Sequence, residues 1–123
     1  KFRNKRFLLP RLIKSIKERD INFIKKIYRN NINGDFSHAE DICEAIYLLI
    51  KKDLNPDKII LSSGKRTFIN DIIDYYLPDL KLKKIKTLYN ESIIGNNSKA
   101  KKILNWRPKK THMDATKELF KII

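Results

Sequence analysis

Gly34-Asp35-Phe36-Ser37-His38-Ala39-Glu40-Asp41 runs straight into Ile42-Cys43-Glu44-Ala45-Ile46-Tyr47-Leu48-Leu49-Ile50. The stretch reads as a strand end, a sharp turn and the capped start of a helix. Ser37 can accept from a first-turn N–H while Glu40, three residues on, reaches back, which is a capping box. Ala39, Ile42, Cys43, Ile46, Leu49 and Ile50 recur at helical spacing, so the pattern predicts that this face is buried.

Outward from this stretch the chain alternates. Phe7 to Ile16 predicts a helix, with Pro10 tolerable in its first turn and Leu9, Leu12, Ile13 and Ile16 on one face. Ile21 to Tyr28 reads as a strand with imperfect alternation, and Arg29 to Gly34 as a turn. Lys58-Ile59-Ile60-Leu61-Ser62-Ser63-Gly64 is an apolar run closed by glycine, as in a buried strand. Thr67 then caps a helix carrying Phe68, Ile69, Ile72, Ile73 and Tyr76, which Pro78-Asp79 stops. A further strand falls around Lys84-Ile85-Lys86. A short helix over Lys99 to Leu104 ends at Asn105, which suits a left-handed cap. Thr111 starts the last helix. The alternation points to α/β organisation in one unit over 1–123, but the strands lack enough partners for a covered sheet. Part of that sheet is expected outside this chain.

Composition bounds the chemistry. The chain has 123 residues, 41% of them apolar, with a formal charge of +14. Such a charge suits a basic module that binds nucleic acid or serves assembly, but Lys and Arg are spread over every segment and no recognition motif is present. The one cysteine, Cys43, reads as a small core residue, and a reducing cytoplasm is the default. No apolar run is long enough for a membrane span. No metal-ligand spacing, Gly-x-Gly-x-x-Gly loop or phosphate-binding loop occurs. No catalytic residue is therefore assigned, and what remains is binding. Arg11, Arg29 and Arg66 stand at element ends, where arginines can fork onto phosphates.

Four ordered motifs carry a resemblance. Gly34 to Asp41 resembles the Arg-Asp-aromatic-x-His-x-x-Asp passage of the extended short-chain dehydrogenase/reductases, the NAD-dependent epimerase/dehydratase family. Its GDP-mannose 4,6-dehydratase subgroup is the most similar. Lys58 to Gly64 followed by Thr67-Phe68-Ile69 resembles the family's strand-Gly-x-x-Ser/Thr-helix step. Gly95-Asn96-Asn97-Ser98-Lys99-Ala100-Lys101 resembles its Gly-Asp-x-Ser-Lys-Ala motif, and Leu104-Asn105-Trp106-Arg107-Pro108 its Leu-Gly-Trp-x-Pro motif.

The resemblance implies the C-terminal substrate-binding portion of an extended Rossmann-type fold. The implied partners are a nucleotide-sugar, a dinucleotide-binding domain outside this chain and further copies of the same enzyme. NAD or NADP would serve the full-length enzyme, and this chain alone would turn nothing over. By the same resemblance Arg11, Ile27, Tyr28, Asp35, Phe36 and Lys86 fall on substrate-binding positions, and Gly34 falls where the family carries an arginine.

Overall fold

The computed structural model describes residues 7–83 and 92–123. The elements run α1 (Leu8–Lys17), α2 (Ile21–Asn30), β1 (Asn33–Asp35), α3 (Ala39–Lys51), β2 (Arg66–Phe68), α4 (Ile69–Tyr76), a 3₁₀ turn (Pro78–Leu80), α5 (Ser98–Leu104) and α6 (His112–Ile122). Among the described residues, β1 and β2 pair as a two-stranded sheet. The chain divides into two compact units. Of the described residues, one contains 7–33, 68–83 and 113–123, and the other 34–67 and 92–112.

The first unit is helical. Leu12, Ile13 and Ile16 of α1, Ile24, Ile27 and Tyr28 of α2, and Ile69, Ile72 and Ile73 of α4 are buried. α2 packs against both α1 and α4. On α6, Phe120 stacks on Tyr76 of α4 with ring centroids 4.8 Å apart, and Thr116 is fully buried.

The strand expected over Ile21 to Tyr28 is instead α2. Ile21, Ile24, Ile27 and Tyr28 recur every three to four residues, and that spacing buries one helical face. Asp20 caps the start by accepting from the Phe23 N–H at 3.2 Å. Asn31 ends the helix in the left-handed region, with φ 44°. Buried Asn70 donates its side-chain amide at 3.0 Å to the Tyr28 carbonyl, which also accepts from the Asn31 N–H at 3.2 Å where the helix ends.

The second unit has a small apolar centre. Ala45, Ala100, Leu104 and Trp106 are buried, with Leu48, Leu49, Leu54, Ile59, Leu61 and Ile103 packed on them. Asn105 takes the left-handed cap expected of it, φ 50°. Four expectations for this unit are corrected. The α3 cap is His38, whose Nδ1 accepts from the Glu40 N–H at 3.2 Å, because the Ser37 hydroxyl instead accepts from the Ser63 N–H. The inward face of α3 is Asp41 and Ala45 flanked by Leu48 and Leu49. Cys43 is therefore exposed, as are Ala39, Ile46, Tyr47 and Ile50.

The third correction concerns residues 58–64, which form no strand. Side chains take the backbone groups a neighbouring strand would have used. Lys99 Nζ donates to the Lys58 carbonyl at 2.7 Å, and Asn97 Nδ2 to the Ser62 carbonyl at 2.8 Å. Thr67 lies inside β2 rather than capping α4, whose N-cap is Phe68. The strand expected around Lys84 to Lys86 lies outside the described residues.

The α3 correction has a direct test. Ile50 is 75% exposed and Ala45 is 0% exposed. Ile50→Lys should change the unfolding free energy of this chain by no more than about 0.5 kcal/mol. Ala45→Leu should cost roughly 1–3 kcal/mol by overpacking. Urea denaturation of the two variants checks the orientation of the helix.

Candidate functional site

In the second unit the four sequence motifs meet one another. The Asp35 carboxylate, at the end of β1, is the meeting point of three of them, the passages of Gly34 to Asp41, Lys58 to Gly64 and Gly95 to Lys101. Its Oδ1 accepts from the Ser63 N–H at 3.1 Å and from the Ser63 hydroxyl. Its Oδ2 accepts from the N–H groups of Gly64 at 3.0 Å and Gly95 at 3.1 Å. The Ser37 hydroxyl donates to Oδ1 at 3.4 Å.

Partial burial pushes the Asp35 pKa up, but the Ser63 hydroxyl and the Gly95, Gly64 and Ser63 N–H groups outweigh it, leaving the pKa below its ordinary 3.8. The loops it ties are tightly fitted. Gly64 has φ +70°, and an added Cβ would lie 3.0 Å from the Asn97 side-chain nitrogen. A Cβ on Gly95 would lie 2.3 Å from Ser62 Oγ.

Asp41 performs the same service at the other end of the turn. It is 4% exposed, and its Oδ2 accepts from the N–H groups of Lys109 at 3.1 Å and Lys110 at 2.9 Å. Trp106 donates its indole N–H to the Asp41 carbonyl at 3.0 Å. Lys110 Nζ pairs with Glu40 at 2.6 Å and Lys109 Nζ with Glu44 at 3.3 Å. The Trp-Arg-Pro passage is thus a strap fastened onto the start of α3.

The proposed site residues separate between the two units. Arg11, Ile27 and Tyr28 belong to the first, and Asp35 and Phe36 to the second. Exposed Arg11 stacks over the Phe23 ring at 4.4 Å. Ile27 is buried. Tyr28 is 4% exposed, and its hydroxyl donates to Asp74 Oδ2 at 3.4 Å. Burial raises the Tyr28 pKa, and the hydrogen bond to Asp74 and the charges of Asp74 and Asp71 raise it further. Tyr28 is therefore a neutral phenol that packs and donates. Half-buried Phe36 lies beside Gly34, close enough that a Cβ there would touch its ring at 3.5 Å. Lys86 lies outside the described residues. Arg66 is engaged with Ser92, donating to its hydroxyl at 2.9 Å and its carbonyl at 3.0 Å.

The first unit also carries a basic concavity of about 370 Å³ on α2, lined by Asn22, Lys25, Lys26, Arg29 and Asn30. Reading this segment as a strand hid the grouping, since alternation puts Lys25 and Lys26 on opposite faces. A helical reading places Asn22, Lys26 and Arg29 in one column, with Lys25 beside Arg29. Among the described residues, no group of three or more His, Cys, Asp or Glu could hold a metal ion. No described helix is long and apolar enough to cross a membrane.

No family model matches the chain. It is 21% identical over 145 residues to GDP-mannose 4,6 dehydratase 2 of Caenorhabditis elegans, spanning 95% of this chain and 38% of that protein. The similarity is a distant relationship to the dehydratase/epimerase family, and the chain spans well under half of the relative's length.

The Asp35 contacts yield a pH dependence. A carboxyl whose pKa is lower folded than unfolded contributes stability above its unfolded value and loses it as pH falls through the folded one. Acid unfolding should therefore set in below pH 3.8. Asp35→Ala, which strands three N–H groups, should cost roughly 2–4 kcal/mol at pH 7 and flatten the pH dependence below that point. Circular dichroism across an acid titration of both proteins measures both effects.

Proposed function

We propose that this chain is the nucleotide-sugar-binding region of an NAD(P)-dependent nucleotide-sugar dehydratase or epimerase, GDP-mannose 4,6-dehydratase-like. The observation that carries the reading is the distant relationship running through 95% of the chain. The four motifs that resemble the family occur in its order, and two separate loops converge on the Asp35 carboxylate. Shared sequence in such a chain preserves the scaffold on which a substrate lobe is built.

The division of labour follows from what the chain carries. With no Gly-x-Gly-x-x-Gly loop, it has no place of its own for a dinucleotide, and NAD or NADP belongs to a domain outside it. Catalytic groups belong there too, so this chain binds and orients. The exposed apolar face of α3, with Ile46, Tyr47 and Ile50 at 45%, 59% and 75% exposure, supports such a neighbour. The full-length enzyme is proposed to work as a homo-oligomer.

Thermal unfolding of the full-length gene product with GDP-, UDP- and dTDP-sugars tests the proposal. One nucleotide-sugar should raise the midpoint, by an amount corresponding to about 2.7 kcal/mol at a hundredfold excess over Kd, while free mannose leaves it unchanged. No rise with any nucleoside-diphosphate sugar at millimolar concentration would overturn it.

A further inference from the structure

We infer that the outer face of α2 is an anion site for a pyrophosphate group, the chemistry shared by free pyrophosphate and nucleoside diphosphates. Assigning a nucleotide-sugar as its natural carrier rests on the function proposed above. The anion site itself does not.

The charge arrangement is the first argument. Lys25, Lys26 and Arg29 lie within five residues of a helix that contains no acidic residue. All three are exposed, and among the described residues none of them is in an ion pair. Nearby cations of the same unit are engaged: Lys14 with Glu18 at 3.7 Å, Arg19 with Asp79 at 3.6 Å, and Arg11 over Phe23. Like charges at i,i+3 and i,i+4 repel, and only Arg29 lies in the last turn, where the helix dipole compensates a cation. A bound anion would relieve the repulsion.

Shape and donor chemistry are the second. The concavity of about 370 Å³ falls within the roughly 300–1,000 Å³ of small-ligand sites. Asn22 and Asn30 at its two ends add neutral amide donors to a guanidinium fork and two ammonium groups. Two linked phosphates can be bridged along the helix, since Lys25 and Arg29 are about 6 Å apart along its axis, whereas a single phosphate reaches one end of the group.

Isothermal titration of the full chain with sodium pyrophosphate and with GDP, at low and at physiological salt, tests the site. Both should bind, more weakly as salt rises. Lys25→Ala, Lys26→Ala and Arg29→Ala should each weaken binding about fivefold or more, and Arg29→Lys should weaken it less than Arg29→Ala. Lys102→Ala, on α5 of the other unit, should leave it unchanged. Undetectable binding, or variants that bind like the parent, would overturn the site. So would tight binding of a random DNA duplex that pyrophosphate does not displace, which marks a polyanion surface.

In the full-length protein a nucleotide-sugar shift that survives the triple alanine variant overturns the nucleotide-sugar as the carrier at this site and leaves the proposed function standing. Pyrophosphate binding that the triple variant loses, with no nucleotide-sugar bound by the full-length protein, upholds the site and removes the proposed function.

Discussion

The second unit depends on one carboxylate. Residues 61–65 and 92–97 contain almost no regular structure, so their backbone N–H groups have no ladder to join. Asp35 supplies the acceptors, taking the N–H groups of Ser63, Gly64 and Gly95 on its two oxygens. Removing it would leave three donors partly withdrawn from water, and with the Asn97 bond to the Ser62 carbonyl it holds two distant loops together.

The same device recurs through the unit. Asp41 receives the N–H groups of Lys109 and Lys110, Asn97 donates to Ser62, Lys99 to Lys58, and Lys52 Nζ to the Leu104 carbonyl at 2.9 Å. Side chain-to-backbone bonds stand here in place of strand pairing. They are directional and leave little tolerance, as the crowding around Gly64 and Gly95 shows. This is why the resemblance concentrates in short motifs: each motif is the hydrogen-bonding partner of another.

Consequently the most recognisable residues and the binding candidates are different residues. Asp35 was expected to touch substrate, yet the structure fills its lone pairs from within the chain. Tyr28 is spent on the packing of the helical unit and on Asp74. On α2, by contrast, Lys25, Lys26 and Arg29 are in no ion pair among the described residues, and their types are ordinary while their grouping is not. The motifs thus carry structural duty, and the proposed ligand duty falls on an exposed helix face.

What the sequence by itself determined is what depends on near neighbours. α1, α4, α5 and the Asn105 cap follow from apolar spacing, proline and a left-handed-tolerant residue within a few positions. The motif order, and with it the distant kinship, is equally local. Only the tertiary structure decided the rest. It turned the isoleucines of 21–28 into a helix face, because α1 and α4 bury that face. It turned Cys43 and Ile50 outward, because Asp41 and Ala45 meet Trp106 and its neighbours. It passed the α3 cap from Ser37 to His38, because Ser63, 26 residues away, claims the Ser37 hydroxyl. Each of these outcomes was set by a partner distant in sequence, which local pattern cannot weigh.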